Sequence, residues 1–151
     1  MKALLFSEFY EGNYDDHGSE LYLIKDPDEN VMYIGISRDS IWHRWFGGGT
    51  SHMERDISGK IYGKSYIGEV MERRFPNSWG WLIELWTKED CLAICDAEFA
   101  GKSLDRIEIG LIEPHMIARF KPLYNVLHGG GRHEDPLTTK KLDTIYKDLF
   151  G

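Results

Sequence analysis

The sequence predicts an α+β domain over residues 1–151: a small mixed antiparallel sheet of about three strands flanked by helices. Three observations lead there. Glu20-Leu21-Tyr22-Leu23-Ile24-Lys25 and Val31-Met32-Tyr33-Ile34-Gly35-Ile36-Ser37 are β-type runs separated by Asp26-Pro27-Asp28-Glu29-Asn30. Pro fixes φ and Asp and Asn tolerate turn conformations, so the two runs form an antiparallel hairpin. Trp79 to Trp86, rich in aromatic and branched residues, suits a third and buried central strand.

The remaining segments read as helices and loops. Residues 1–19 end in the turn-rich Glu11-Gly12-Asn13-Tyr14-Asp15-Asp16-His17-Gly18-Ser19 and are expected to be an extended arm. Asp39 or Ser40 caps a helix carrying Ile41, Trp42, Arg44, Trp45 and Phe46, stopped by Gly47-Gly48-Gly49. Residues 50–78 are polar, with a short helix over Ile67–Phe75 ended by Pro76. Thr87 followed by Asp90 signals a helix over 88–96. A longer helix begins near Ser103 and carries Leu104, Ile107, Leu111 and Ile112; Pro114 kinks it or starts a fresh segment through Phe120. A glycine loop at 128–133 and an amphipathic helix over 136–150, with Leu142, Ile145, Tyr146 and Leu149 on one face, complete the chain.

Composition narrows the function classes. No run of about 18 apolar residues offers a membrane span, and the N-terminus meets Glu8 before an apolar signal segment develops. Cys91 and Cys95, one helical turn apart, read as a buried reduced pair, which points to a cytoplasmic setting. Lys and Arg number 18 against 25 Asp and Glu, a net charge of −7. A nucleic-acid partner would therefore have to meet a local patch of positive charge. Arg55, Lys60, Lys64, Arg73 and Arg74, all within 47–78, are the best candidates for strand contact.

One ordered set of residues carries chemistry. Tyr22 and Tyr33 lie eleven residues apart on the two hairpin strands, Arg44 lies eleven further on, and Glu113, Ile117, Pro122 and Asn125 close the series. In order and separation this set resembles the GIY-YIG nuclease family over residues 20–126. The Tyr66-Ile67-Gly68 copy does not qualify, because Tyr62 and Tyr66 are too close in sequence to bracket a turn and a returning strand. The chain departs from the family at Glu20, where the first motif has glycine, at Ile36, where lysine is frequent, and at Gly48, where histidine or tyrosine is common. His43 or His52 are the candidates for that last place, and Lys60 or Lys64 for the missing cation.

The resemblance implies a divalent-metal-dependent DNA endonuclease, with Tyr22, Tyr33, Arg44, Glu113, Asn125 and His43 at the site. Glu113 is then the metal ligand for Mg²⁺ or Mn²⁺, since Mg²⁺ keeps several waters and usually takes one or two carboxylates. Arg44 holds a phosphate oxygen through its fork of donors. One tyrosine, Tyr22 by expectation, activates the water, and Asn125 steadies the site. A symmetric double-strand cut by such one-metal sites requires a homodimer. The alternative is a non-catalytic nucleic-acid- or protein-binding module on the same scaffold, and a thiol enzyme built on Cys91 or Cys95 is the remote third reading.

Overall fold

The segment expected to be an extended arm folds into the body of the protein instead. In the computed structural model, which describes residues 1–12, 18–95, 99, 101–103 and 107–125, Lys2–Leu5 is a strand (β1) and Phe6–Glu11 a helix (α1). The helix is short, and its ends are chemically defined. The Leu5 N–H donates to Glu8 Oε1 at 3.0 Å, and Gly12, at φ 77°, donates its N–H to the Phe9 carbonyl. Phe6 and Phe9, one turn apart, are completely buried. The Phe6 ring meets Trp45 and Trp79 edge-on, each at 5.0 Å between centroids, so burial of two aromatic rings secures a helix too short to form alone.

The predicted hairpin is present as Leu21–Lys25 (β2) and Val31–Ile36 (β3). Asp26 organises its turn: the carboxylate accepts from the backbone N–H groups of Asp28 and Asn30 and from the Asn30 amide. Ser40 caps the helix Ile41–Phe46 (α2) by accepting from the His43 N–H. The polar stretch that follows is a two-stranded ribbon, Met53–Arg55 (β4) and Ile61–Gly63 (β5), leading to the helix Tyr66–Arg73 (α3).

The third predicted strand is shorter than expected. Asn77–Gly80 is a single 3₁₀ turn containing Trp79, and the strand itself is Leu82–Trp86 (β6). The main sheet has four strands rather than about three, in the order β1-β6-β2-β3, and every described pairing is antiparallel. β6 is interior as expected, between β1 and β2.

Opposite residues of an antiparallel pair share a face, so the register sorts the core into two layers. Tyr22, Ile24, Ile83 and Leu85 pack with Phe6, Trp45, Ile67, Val70 and Met71 from α1, α2 and α3. Leu21, Leu23 and Ile34 pack on the other face against the helices Lys88–Cys95 (α4) and Ile109–Phe120 (α5). Glu84 is buried on this second face, opposite Leu23, and its carboxylate is compensated by Lys25 at 3.0 Å and the Trp86 indole N–H at 3.1 Å. Thr87 and Asp90 cap α4 reciprocally. Cys91 and Cys95 are buried free thiols; Cys95 Sγ lies 3.7 Å from Met116 Sδ.

Two helix expectations change. Ile107 and Glu108 precede the helix, which begins at Ile109 rather than near Ser103, and α5 runs through Pro114 without interruption. A proline here forfeits the bond that its N–H would give to the Gly110 carbonyl and crowds that carbonyl with its ring, a cost offset by the burial of Ile112, Met116 and Ile117 on either side of it. Residues 104–106, the glycine loop at 128–133 and the helix expected over 136–150 lie outside the described residues. Among the described residues no helix is long and apolar enough to cross a membrane.

α5 ends at Lys121, in the left-handed conformation at φ 49°, and the chain then runs beside β3. Leu123 and Tyr124 donate backbone N–H groups to the carbonyls of Val31 and Met32. Asn125 completes the contact with both ends of its amide: Oδ1 accepts from the Ile34 N–H at 2.9 Å, and Nδ2 donates to the Ile34 carbonyl at 2.6 Å. Replacing Asn125 by Ala leaves two buried backbone groups without these partners, so Asn125→Ala is expected to lower the unfolding free energy by about 2–3 kcal/mol in a denaturant titration.

Candidate active site

The hairpin register places Tyr22 opposite Gly35 and Tyr33 opposite Ile24, so both phenols lie on the same face of the sheet. Their ring centroids are 6.1 Å apart. Gly35 is there because the Tyr22 ring crosses the space a side chain would occupy: a Cβ at Gly35 would collide with the Tyr22 hydroxyl. The glycine of the second motif is thus the physical complement of the tyrosine of the first.

Tyr22 is completely buried, and its hydroxyl is hydrogen-bonded to His52 Nε2 at 2.6 Å. The histidine is only 1% exposed. Its Nδ1 is 2.6 Å from Ser65 Oγ, which also accepts the Gly68 N–H as the N-cap of α3. A neutral imidazole has one N–H, so it donates at one end of this chain and accepts at the other. The result is a buried Tyr22–His52–Ser65 line running from the central sheet to the start of α3.

Local backbone contacts hold His52 there. Its N–H donates to the Arg44 carbonyl, which brings the chain back against α2 after the glycines at 47–49. Its carbonyl accepts from the N–H groups of Lys64 and Ser65. The Gly68 backbone lies so close to this carbonyl that a Cβ at 68 would collide with it. The second Tyr-Ile-Gly therefore serves packing, and its glycine seats the histidine.

Arg44 lies on α2 and is half-buried, donating from one guanidinium nitrogen to the Thr50 carbonyl at 2.7 Å. Glu113 lies on α5, also half-buried. Both charges reach both phenols. Burial pushes the Tyr22 pKa well above its ordinary value, and neighbouring Tyr33 adds to this; Arg44 opposes the rise and Glu113 adds to it. Burial also raises Tyr33, with Arg44 again opposing and Glu113 adding, while a hydrogen bond from Tyr22 favours its ionised form. Tyr33, partly exposed, is the phenol of the two that ionises more readily. Burial, and then the positive charge of Arg44, push His52 down to about 3, so it is neutral at physiological pH.

Of the six residues expected at the site, Tyr22, Tyr33, Arg44 and Glu113 are brought within electrostatic reach of one another. Asn125 acts on the backbone beside Tyr33. His43 is not part of this group: it is exposed on α2, its ring lies against Trp42, and the histidine at the phenols is His52. Ser65 was not anticipated, and only its position as the residue before a helix could have drawn attention to it.

Among the described residues no group of three or more His, Cys, Asp or Glu gathers around a common point. Within the group of Tyr22, Tyr33, Arg44 and Glu113, the carboxylate belongs to Glu113, a hard oxygen ligand of the kind Mg²⁺ accepts singly when water fills the remaining positions. Burial pushes the Cys91 thiol up to about 12, away from the thiolate a nucleophile needs.

Because the folded state holds His52 neutral and the unfolded chain protonates it near pH 6.5, its burial favours folding fully above pH 6.5. That contribution is lost as pH falls from about 6.5 toward about 3. The slope from one such group is at most about 1.4 kcal/mol per pH unit. His52→Gln is expected to flatten the stability profile over this window, measured by urea unfolding at a series of pH values. Gly35→Ala is expected to cost about 1–3 kcal/mol by displacing the Tyr22 ring, and to shift the near-ultraviolet circular dichroism of the buried tyrosine. No family model, no curated protein and no solved structure matches the chain.

Proposed function

We propose that this protein is a divalent-metal-dependent DNA endonuclease that hydrolyses phosphodiester bonds on a GIY-YIG-like scaffold. The observation that carries this reading is the convergence of two phenols, one arginine and one carboxylate from β2, β3, α2 and α5, with a buried neutral histidine bonded to the inner phenol. These residues span positions 22 to 113 in the chain, so their convergence is a property of the fold and not of local sequence.

Phosphodiester hydrolysis requires a water activated for attack, relief of phosphate charge and a stabilised leaving oxygen. Glu113 would hold the cation. A divalent ion bound there supplies Lewis-acid relief of phosphate charge. Arg44 offers its guanidinium to a non-bridging oxygen while its contact with Thr50 fixes the side chain.

The division of labour between the tyrosines differs from the sequence expectation. Tyr22 has no exposed surface and its hydroxyl is shared between His52 and Tyr33, so it serves as a positioning residue. Tyr33 is partly exposed; burial raises its phenol, while Arg44 and the hydrogen bond from Tyr22 oppose that rise, and of the two tyrosines we give it the proton of the attacking water. The neutral His52 ring sets the direction of the Tyr22 hydroxyl, and Ser65 sets the ring.

A one-metal site of this kind cuts one strand, and a double-strand cut would require two copies of the chain. The second reading is a non-catalytic nucleic-acid- or protein-binding module on the same scaffold, motivated by the departures at Ile36 and Gly48 and by the net charge of −7, which speaks for a protein partner rather than a nucleic acid. Plasmid relaxation assays in Mg²⁺ and in chelator separate the two. Nicking that requires Mg²⁺, is abolished in Glu113→Ala and falls about 10²–10³-fold in Arg44→Ala supports the nuclease. In the same series Tyr33→Phe is expected to lose more activity than Tyr22→Phe. Undiminished cutting by Glu113→Ala would overturn the site, and DNA binding without metal-dependent cutting would assign the second reading.

A further inference from the structure

The side chains of Tyr22, Ser65 and a neutral histidine each carry one polar hydrogen. His52 is neutral, because burial and then Arg44 oppose its protonation. With both contacts of its ring made, the Ser65–His52–Tyr22 line has two orderings open to it. Either every hydrogen points from α3 toward the phenols, or every hydrogen points from the phenols toward α3.

The two ends of the line choose the same ordering. At the α3 end, Ser65 Oγ accepts the Gly68 N–H at 3.1 Å. The serine has its own hydrogen to place, and among the described residues the acceptor in reach is His52 Nδ1 at 2.6 Å. Were the imidazole to donate there instead, the serine oxygen would receive two donors and its hydrogen would face no protein acceptor. At the sheet end, the Tyr22 hydroxyl is sealed from water, so its hydrogen requires a protein acceptor. That acceptor is Tyr33, whose ring lies 6.1 Å away and whose ionised form the bond favours. The Tyr22 oxygen is then left to accept, and the atom facing it at 2.6 Å is His52 Nε2. A hydrogen on Nε2 leaves a lone pair on Nδ1, which is what the serine hydroxyl requires.

We infer that the Ser65 hydroxyl fixes His52 as the Nε2–H tautomer and thereby aims the Tyr22 hydroxyl at the Tyr33 oxygen, which makes Ser65 a positioning residue for the reacting phenol. The serine acts through the histidine, and each donor in the line polarises the next. In this ordering Tyr33 receives a hydrogen bond from the buried side and keeps its own hydrogen on the partly exposed side, where water meets it. The reverse ordering would turn the Tyr33 hydrogen inward to Tyr22, away from the water it serves. One serine oxygen thus starts α3 and sets the direction of the hydrogens that reach the site.

The effect on turnover rests on the nuclease reading, whereas the tautomer does not, and one experiment separates the two. The full chain is labelled with ¹⁵N-histidine, and multiple-bond ¹⁵N–¹H spectra report which ring nitrogen carries the hydrogen. His52→Gln identifies the His52 signals by their loss. Plasmid nicking in Mg²⁺ is followed on the same proteins. Ser65→Gly removes the hydroxyl and leaves a residue tolerated before a helix, and Ser65→Thr keeps both hydroxyl and cap. The expected result is a hydrogen on Nε2 in the parent and in Ser65→Thr, with both tautomers present in Ser65→Gly. Nicking kcat is expected to fall about tenfold in Ser65→Gly at unchanged KM, and to recover in Ser65→Thr. A hydrogen on Nδ1 in the parent overturns the inference whether or not the chain cuts DNA. Ser65→Gly with the tautomer and turnover of the parent also overturns it and leaves the nuclease standing. Equal losses of turnover in Ser65→Gly and Ser65→Thr assign Ser65 to shape alone and overturn it as well. The expected tautomers in a chain that cuts no DNA support the ordering and overturn the nuclease reading.

Discussion

The hydrogen bond between the Tyr22 hydroxyl and His52 Nε2 is the constraint on which the remaining structure depends. Both side chains are sealed from water, and a polar group removed from water without a partner is costly. Each therefore requires the other at a fixed place. Satisfying that pair demands the hairpin register that sets Tyr22 over Gly35, the return of residues 47–52 onto α2, and the serine at the head of α3. Three elements remote in sequence become one rigid unit through a single buried contact. The phenol that remains partly open to solvent, Tyr33, is supported from behind by this unit.

The unit also separates two uses of charge. Its interior is held neutral, with a histidine that resists protonation and a tyrosine that resists ionisation. The formal charges, Arg44 and Glu113, are half-buried at its margin. Such a layout allows a protein of net charge −7 to keep a guanidinium beside the two phenols, because local field and not total charge governs what a nearby anion would experience.

Those parts of the fold governed by local chemistry were legible in the sequence. The Asp26 turn, the Ser40 cap and the Thr87–Asp90 box each depend on residues within four positions of one another. The arm at the N-terminus was misread because α1 has six residues, too few to display a helical period, and what fixes it is the meeting of Phe6 with Trp45 and Trp79 far along the chain. The β4–β5 ribbon shows no alternation of apolar and polar residues, and its order comes from the Asp56 carboxylate, which accepts from the Ser58 and Lys60 N–H groups. Spacing within the motif pointed to Tyr22, Tyr33, Arg44 and Glu113, which the fold brings together, but it favoured His43 by adjacency. Adjacency on a helix points neighbouring side chains in different directions, whereas the irregular return after Gly47 is what delivers His52. Pro114 was expected to kink the helix or start a fresh segment because a lost hydrogen bond is a local cost, and one continuous helix spans it because the buried residues around it offset that cost.

Asn125 has a consequence beyond the two bonds it makes. β3 is the last strand of the sheet, and an uncovered last strand offers its backbone to any extended chain, which is a route to aggregation. Leu123, Tyr124 and Asn125 occupy that side of β3 in place of a fifth strand. The same three residues follow α5, the helix that carries Glu113, after only Lys121 and Pro122. Protection against misassembly and placement of the carboxylate are thereby mechanically joined: a variant that frees this border for pairing with another chain also unmoors the helix bearing the acid.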